Sequence, residues 1–160
     1  MQMSRTVNVA GYVKLAKLWE KSKERIVTYH KKYYEKKYIS IENVNLVDVY
    51  IDITGQKSIM KRHEMIRLMQ DCRDGKIDVI STQTRAYLAA NSGEFCYLIY
   101  YLFSLDNTIH IVTEDDNYRI DTLTNYENQR EALMKMAEDF IKLVPEEYEE
   151  WKKVIERKYL

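Results

Sequence analysis

The chain has 160 residues, which is enough for one domain with a sizeable apolar core. Its 25 basic and 25 acidic side chains cancel, so the net charge does not indicate a nucleic-acid partner. No apolar run approaches the roughly 18 residues of a membrane span, and no leader pattern is present, so we expect a cytoplasmic protein without membrane contact. Cys72 and Cys96 lie on apolar helical faces, which predicts buried, reduced thiols.

The first third of the sequence alternates strand and helix patterns. Residues 6–14 alternate apolar and polar side chains and predict a strand, as do residues 45–52. Between them, residues 18–38 predict a helix that covers a sheet with one face. That face is formed by Trp19, Ile26, Tyr29, His30 and Tyr33. We interpret His30 as a packed rim histidine, and the many lysines of this helix as a solvated face or a basic strip for phosphates.

The middle of the chain, residues 61–91, gives the clearest pattern. An apolar face at helical spacing is ended by Gly75, a residue type that can adopt the left-handed conformation that closes helices. This face consists of Met65, Leu68, Met69 and Cys72. Ile77, Val79 and Ile80 predict a buried strand, followed by a polar loop over residues 81–91. Ligands bind beyond the carboxyl ends of parallel strands, so this loop is the first candidate for chemistry.

The last part of the sequence predicts a helix over residues 92–105, a strand over residues 108–113 and an acidic surface loop over residues 114–121. We expect His110 to face solvent or an edge. A long helix should begin at Tyr126 and end near Pro145. Proline is favoured in the first turn of a helix, so a new helix should start there. The final stripe of Tyr148, Trp151, Ile155 and Tyr159 could fold back on the domain or bury against another subunit.

These patterns predict an α/β fold with a three-layer open sheet, mostly parallel and flanked by helices. Residues 1–125 should form the core, and residues 126–160 should form a helical segment of the same domain. The histidines lie on separate elements without zinc-binding spacing, and the glycines are isolated, so we expect no metal and no cofactor.

Three segments carry a family resemblance: GYVKLA at residues 11–16, Arg62, and DCRDGKIDVI at residues 71–80. Together with the strand order, they resemble the catalytic domain of serine site-specific recombinases, the resolvase and invertase family. The resemblance covers residues 9–140 and is closest to recombinases of conjugative transposons and phages of Gram-positive bacteria. It implies a resolvase-like sheet and a long carboxyl-proximal helix that dimerises and lies over DNA.

In that family a serine attacks a DNA phosphodiester, and arginines stabilise the developing charge. The resemblance implies that the first strand ends in Tyr-x-Arg-x-Ser. This chain instead has Lys14 at the arginine position and Ala16 at the serine position. Lysine keeps the charge but loses the planar two-point grip on phosphate, and alanine supplies no nucleophile. Replacement by Ser22, Ser81 or Thr82 has little support, because no activating base is evident beside them.

The polar loop should contain the family's Arg-x-x-Arg-Asn pair. An ungapped alignment from Asp78 places Tyr87 and Ala90 at the two arginine positions. A shift of two residues brings Arg85 to the first position and Leu88 to the second, so the pair is absent in either register. Arg62 matches a family active-site arginine, although it could serve as a surface charge or a helix-start contact. Lys14, Arg62 and Arg85 are therefore the candidate phosphate contacts.

The resemblance predicts a catalytically inactive homologue that acts in DNA recombination of a mobile element, through self-association or as an accessory subunit. The expected partner is a second copy or an active serine recombinase. The candidate partner-binding residues are Leu133, Met136, Phe140, Trp151 and Ile155. DNA binding should be weak alone, because only about one helix follows Phe140 where family members carry a DNA-binding domain. The alternatives are a DNA-cleaving recombinase or nuclease with rearranged chemistry, and a small DNA-binding accessory protein.

Overall fold

Within the residues that the structure describes, the chain forms one parallel sheet of four strands. The computed structural model describes residues 5–116, 118–125 and 129–157. The strands are β1 (Val7–Leu15), β2 (Val44–Ile53), β3 (Val79–Thr82) and β4 (His110–Thr113), and they lie in the order β2-β1-β3-β4. The helices are α1 (Lys23–Tyr38), α2 (His63–Arg73), α3 (Ser92–Phe103), α4 (Glu131–Leu143) and α5 (Pro145–Arg157). Short 3-10 helices lie at Lys17–Ser22, Ile59–Lys61 and Arg85–Tyr87. The α/β fold predicted from the sequence is confirmed.

Helices cover both faces of the sheet. Val13 and Val49 pack with Tyr34 of α1 on one face. Alternate residues of β1 point to the other face, where Tyr12 joins the larger core formed by α2, α3, α4 and α5. Burial on both faces explains why residues 9–13 of β1 carry no charged side chain.

Gly11 allows α1 to approach the sheet closely. A Cβ atom at Gly11 would lie 2.9 Å from Cγ of Tyr34, which is closer than carbon atoms pack. The absence of a side chain at this position of β1 therefore sets the depth at which the Tyr34 ring is buried.

The structure confirms the predicted α2 face. All four of its predicted apolar side chains are fully buried: Met65, Leu68, Met69 and Cys72. Gly75 has a φ of +79°, as expected for a residue that closes a helix. Cys72 and Cys96 are both buried free thiols. The following strand starts later than predicted, at Val79 rather than Ile77, and it also ends later, since β3 includes Ser81 and Thr82.

The helix predicted over residues 18–38 is divided in two. Its first turns form the 3-10 helix Lys17–Ser22, and α1 begins only at Lys23. A 3-10 helix has three residues per turn, so side chains spaced for an α-helix do not share a face across this junction. The prediction that Trp19 and Tyr29 cover the sheet is wrong, because both are exposed, whereas His30 is buried as predicted. Trp19 precedes the junction, and Tyr29 lies to one side of the α1 face on which His30 and Tyr34 are buried.

The carboxyl-terminal helices fold back onto the domain. The start predicted at Tyr126 lies outside the described residues, as does Tyr159 of the final stripe. Pro145 begins α5, in agreement with its preference for a first turn. Trp151 and Ile155 of α5 are buried in the main core, so the fold-back alternative for this stripe is correct.

Irregular backbone marks both edges of the sheet. On β2, the outer strand on one side, the pairing jumps from Leu46 to Asp48, which leaves Val47 as a bulge. On β4, Val112 forms an antiparallel bridge with Asp121. The acidic segment 114–121 is therefore only partly a surface loop, since Ile120 is buried. His110 lies half-buried on this edge strand, as expected, and contacts Thr122.

Candidate functional site

The candidate site lies at the carboxyl ends of β1, β2 and β3. The chain leaves β1 towards β2 on one side and later adds β3 on the other, so the topological switch point lies between β1 and β3. Open α/β sheets bind ligands at this crevice. Lys14 and Ala16 come from the end of β1, and Arg85, Tyr87 and Ala90 come from the segment after β3.

Ala16 occupies an exposed position between β1 and the 3-10 helix that follows it. Its methyl group can neither attack phosphorus nor accept a proton. Two nearby hydroxyls of β3 are fully buried and engaged, since Ser81 Oγ accepts from the Tyr38 hydroxyl at 2.7 Å and Thr82 Oγ1 donates to the Tyr12 carbonyl at 2.7 Å. The structure therefore places no exposed hydroxyl of Ser81 or Thr82 at this edge.

Lys14 keeps a positive charge at the site. Its side chain is half-buried, and burial lowers the pKa of its ammonium group. The positive charge of Arg62 lowers this pKa further, as does that of Lys57, while the Asp52 carboxylate opposes the shift. Three cationic side chains thus share one region, a field that favours an anion.

Arg62 is buried rather than exposed to solvent. Only 1% of it is exposed, and its guanidinium donates to the carbonyls of Tyr87 at 2.7 Å, Leu88 at 3.3 Å and Lys57 at 2.9 Å. The alternative of a surface charge is therefore wrong. Arg62 joins the segment before α2 to the segment after β3, and these bonds to the backbone occupy donors that a phosphate would need.

Asp52, at the end of β2, is a buried residue of this site that the sequence reasoning missed. Its Oδ2 accepts from the Tyr12 hydroxyl at 2.8 Å and from the Met65 amide at 2.9 Å, and its Oδ1 accepts from the Glu64 amide at 2.9 Å. Burial, and then the nearby Asp52 charge, raise the pKa of Tyr12 well above its usual range. Asp52 thus supplies the negative charge favoured at the start of α2. No local pattern reveals it, because Asp52 precedes the first residue of α2, His63, by eleven positions.

The three residues considered for the predicted arginine pair, Tyr87, Ala90 and Arg85, have different surroundings. Tyr87 is half-buried, and burial raises the pKa of its hydroxyl. Ala90 is exposed and lines a cavity of about 520 Å³. Arg85 lines the same cavity, with its guanidinium carbon 4.1 Å from the centre of the Phe95 ring. Arg85 thus stacks on Phe95, whereas Arg62 donates to backbone carbonyls, so the two arginines have different partners in the folded chain.

The candidate partner-binding residues do not form one exposed surface. Leu133, Trp151 and Ile155 belong to the core of this same chain, which removes them from a surface available to a partner. Phe140 is half-buried, and only Met136 is exposed, at 38%. The physical reason is that α4 packs on α3, and that α5, which begins at Pro145 directly after α4, turns back against α2 and α3.

The described residues contain no group of three or more His, Cys, Asp or Glu side chains that could hold a metal ion. Within the same residues, no helix is both long and apolar enough to cross a bilayer.

Comparisons with known proteins differ between sequence and structure. No protein-family model matches the sequence. A search of curated proteins also finds no match.

Several solved structures share the fold. The N-terminal catalytic domain of TP901-1 integrase has a TM-score of 0.60 and 18% identity, over 87% of this chain and 97% of that chain. A resolvase family site-specific recombinase from Streptococcus pneumoniae has a TM-score of 0.57 and 17% identity, over 92% of this chain and 96% of that one.

A third similar structure is the C-terminal catalytic domain of ISC1926 TnpA, an IS607-like serine recombinase. Its TM-score is 0.53 and its identity 13%, over 85% of this chain and 99% of that chain. The chain therefore has the fold of serine recombinase catalytic domains. The resemblance inferred from the sequence is confirmed at the level of the fold.

Proposed function

We propose that this chain acts in DNA recombination of a mobile element as a catalytically inactive homologue of serine recombinase catalytic domains. The observation that carries the proposal is Ala16, a side chain without a hydroxyl at the end of β1. Formation of a phosphoserine link needs a nucleophile and groups that stabilise the charge on the phosphoryl oxygens.

The charge-stabilising groups support the same proposal. Arg62 is committed to three backbone carbonyls, and Tyr87 and Ala90 stand where the resemblance implies arginines. Restoring one hydroxyl would leave these positions unchanged. We therefore expect an Ala16→Ser variant to remain inactive.

The proposed role is association with a second copy or with an active recombinase. The exposed apolar side chains of α4 support it, because Met136 is 38% and Leu143 is 78% exposed. Exposed apolar side chains on one helix are suited to a protein interface. This helix, rather than α5, is the proposed contact.

Catalytic inactivity is tested with supercoiled plasmid that carries a recombination site, with and without magnesium. We expect no nicking and no covalent protein–DNA adduct on a denaturing gel. An adduct formed by the native chain would refute inactivity. An active serine recombinase provides the positive control.

Association is tested by analytical ultracentrifugation and by co-purification with a recombinase encoded nearby. Met136→Glu should abolish the association by placing a charge in the contact, whereas Val154→Glu, at an exposed position of α5, should not. A chain that neither self-associates nor co-purifies would contradict the role.

A second candidate function is DNA binding through α1. Lys31, Lys32 and Lys36 are exposed on this helix. Lys37 is less available, because its Nζ lies 2.8 Å from Oε1 of Glu114. Three exposed lysines on one helix provide a basis for contacts with phosphates.

A further inference from the structure

A cavity of about 520 Å³ lies beside the candidate site, beyond the carboxyl ends of β3 and β4. Its volume is within the usual range for a small-molecule pocket. Small side chains leave this space open, since Ala86, Ala89 and Ala90 all line it. Three other lining residues carry distinct chemistry: Arg85, Tyr118 and Asp115.

Arg85 provides a cation with a fixed plane. Its guanidinium carbon lies 4.1 Å from the centre of the Phe95 ring, a stacking contact that leaves the N–H donors at the edge of the plane. The described residues give this guanidinium no hydrogen bond and no ion pair. A half-buried, pre-oriented and unpaired arginine is suited to binding phosphate through two donors.

Tyr118 provides an aromatic surface at the rim. It is 83% exposed, so its ring contributes little to the core. Its backbone has a φ of +55°, a left-handed conformation that is uncommon for residues other than glycine. Exposed aromatic rings beside cationic side chains are the elements with which proteins stack and hold single nucleotides.

Asp115 limits the negative charge that the cavity can accept. Its Oδ2 accepts from the Thr84 hydroxyl at 2.7 Å. Burial raises its pKa, but polar neighbours that include the Thr84 and Thr113 hydroxyls outweigh this effect, so the net shift is downward and the carboxyl stays charged at neutral pH. A cavity with one cation and one anion favours a single phosphate over a di- or triphosphate.

We propose that this cavity binds one nucleoside monophosphate unit, with its phosphate on Arg85 and its base against Tyr118. The unit could be a free nucleotide or an unpaired nucleotide of a DNA strand, which present the same chemistry. The site does not depend on the association of α4 with a partner, so either proposal can fail without the other.

The test is a titration of the full chain followed by amide chemical shifts in NMR spectra. The ligands are deoxyadenosine monophosphate, deoxyadenosine, deoxyribose 5-phosphate, inorganic phosphate and a short oligo-deoxyadenylate. We expect saturable shifts at residues 84–92 and 115 with the nucleotide. Loss of the base should weaken binding about tenfold, in line with the usual contribution of one stacked base. Loss of the phosphate should also weaken binding at least about tenfold, because it removes the charge-assisted hydrogen bonds to Arg85.

Two variants separate the stacking contact from the phosphate contact. Tyr118→Asn removes the ring but keeps a residue that tolerates a left-handed backbone, and it should weaken nucleotide binding about tenfold without affecting deoxyribose phosphate. Arg85→Gln should weaken both ligands. Tyr29→Ala and Arg25→Gln, at exposed positions of α1, are matched controls that should change neither.

Tighter binding of the oligonucleotide than of the free nucleotide would assign the site to an unpaired nucleotide of a strand. Equal binding would assign it to a free nucleotide. The proposal is overturned if neither ligand shifts these amides at millimolar concentration, or if Tyr118→Asn and Tyr29→Ala bind the nucleotide equally well.

Discussion

Arg62 illustrates, at the scale of a single residue, how a side chain matched to a catalytic arginine can serve the fold. Its three backbone acceptors come from segments on either side in the sequence, one five residues earlier and two about 25 residues later. The sequence indicates that an arginine stands at this position, but it contains no information on these acceptors. Only the folded chain distinguishes a structural arginine from one that binds phosphate.

Replacement of Arg62 by Met should therefore destabilise the protein. The substitution leaves the carbonyls of Lys57, Tyr87 and Leu88 without their donor, and buried unpaired polar groups cost about 1–3 kcal/mol each. We expect the free energy of unfolding, measured with urea, to fall by about 2–4 kcal/mol. Arg25→Met, at an exposed position, should change it by less than about 0.5 kcal/mol. An Arg62→Met chain as stable as the native one would show that these bonds do not stabilise the fold.

His30 should make stability depend on pH. Burial lowers the pKa of this imidazole in the folded chain, so the unfolded chain binds protons more readily. Its stabilising contribution is complete above the unfolded pKa of about 6.5 and declines as the pH falls below that value. Burial also lowers the pKa of His110, so this residue contributes to the loss of stability at low pH in the same direction.

The corresponding measurement is the urea midpoint at pH 7.5 and at pH 5.5. His30→Gln should reduce the difference between these two midpoints, while His63→Gln, whose side chain is 61% exposed, should leave it unchanged. A native chain whose midpoint rises on acidification, or an unaltered difference in His30→Gln, would exclude this role of His30.

At the scale of helices and strands, the sequence predicts the features that residues close together in the chain determine. The α2 face, its ending at Gly75 and the start of α5 at Pro145 follow from side-chain spacing and backbone preferences. The same local patterns do not predict that the first helix is interrupted at Ser22 or where α5 packs. The α5 stripe is apolar whether it meets its own domain or another subunit, so its sequence fits both arrangements.

Glu94 connects α5 to the edge of the candidate site. Its Oε2 accepts from Trp151 Nε1 at 3.3 Å, from the Ile59 amide at 2.9 Å and from Ser58 Oγ at 3.3 Å. Its position in the first turn of α3 is also favourable for a negative charge. One carboxylate oxygen therefore joins three parts of the chain.

Glu94→Ala should lower the free energy of unfolding by about 2–4 kcal/mol, because two buried N–H donors lose their acceptor. Faster hydrogen exchange in α5 should accompany this loss, since the Trp151 contact is removed. Glu147→Ala, at an exposed position of α5, is the matched control and should stay within about 0.5 kcal/mol. Unchanged exchange in α5 would mean that apolar packing alone holds this helix.

At the scale of the whole molecule, balanced charge masks an uneven distribution. The 25 basic and 25 acidic side chains cancel, yet α1 presents exposed lysines. If this chain binds duplex DNA, we expect the contact to involve this local field. The resulting affinity should be low and strongly dependent on salt, because it relies on the release of counterions.

Binding of duplex DNA should weaken more than tenfold between 50 and 200 mM salt if α1 neutralises about three phosphates. The Lys31→Gln, Lys32→Gln double variant should reduce the slope of log affinity against log salt by about two. Lys135→Gln with Lys142→Gln, on α4, provides a control of equal charge change. A slope that is the same in both double variants would exclude α1 as the DNA-binding surface.

The irregular edges of the sheet have a consequence for the protein in concentrated solution. An open, regular edge strand is a template on which another chain can add a strand, a common route to fibres and precipitates. Here the bulge at Val47 interrupts one edge, and the bridge between Val112 and Asp121 occupies part of the other. We therefore expect this architecture to disfavour growth by strand addition, which leaves the side-chain surfaces of the helices as the surfaces on which copies could associate.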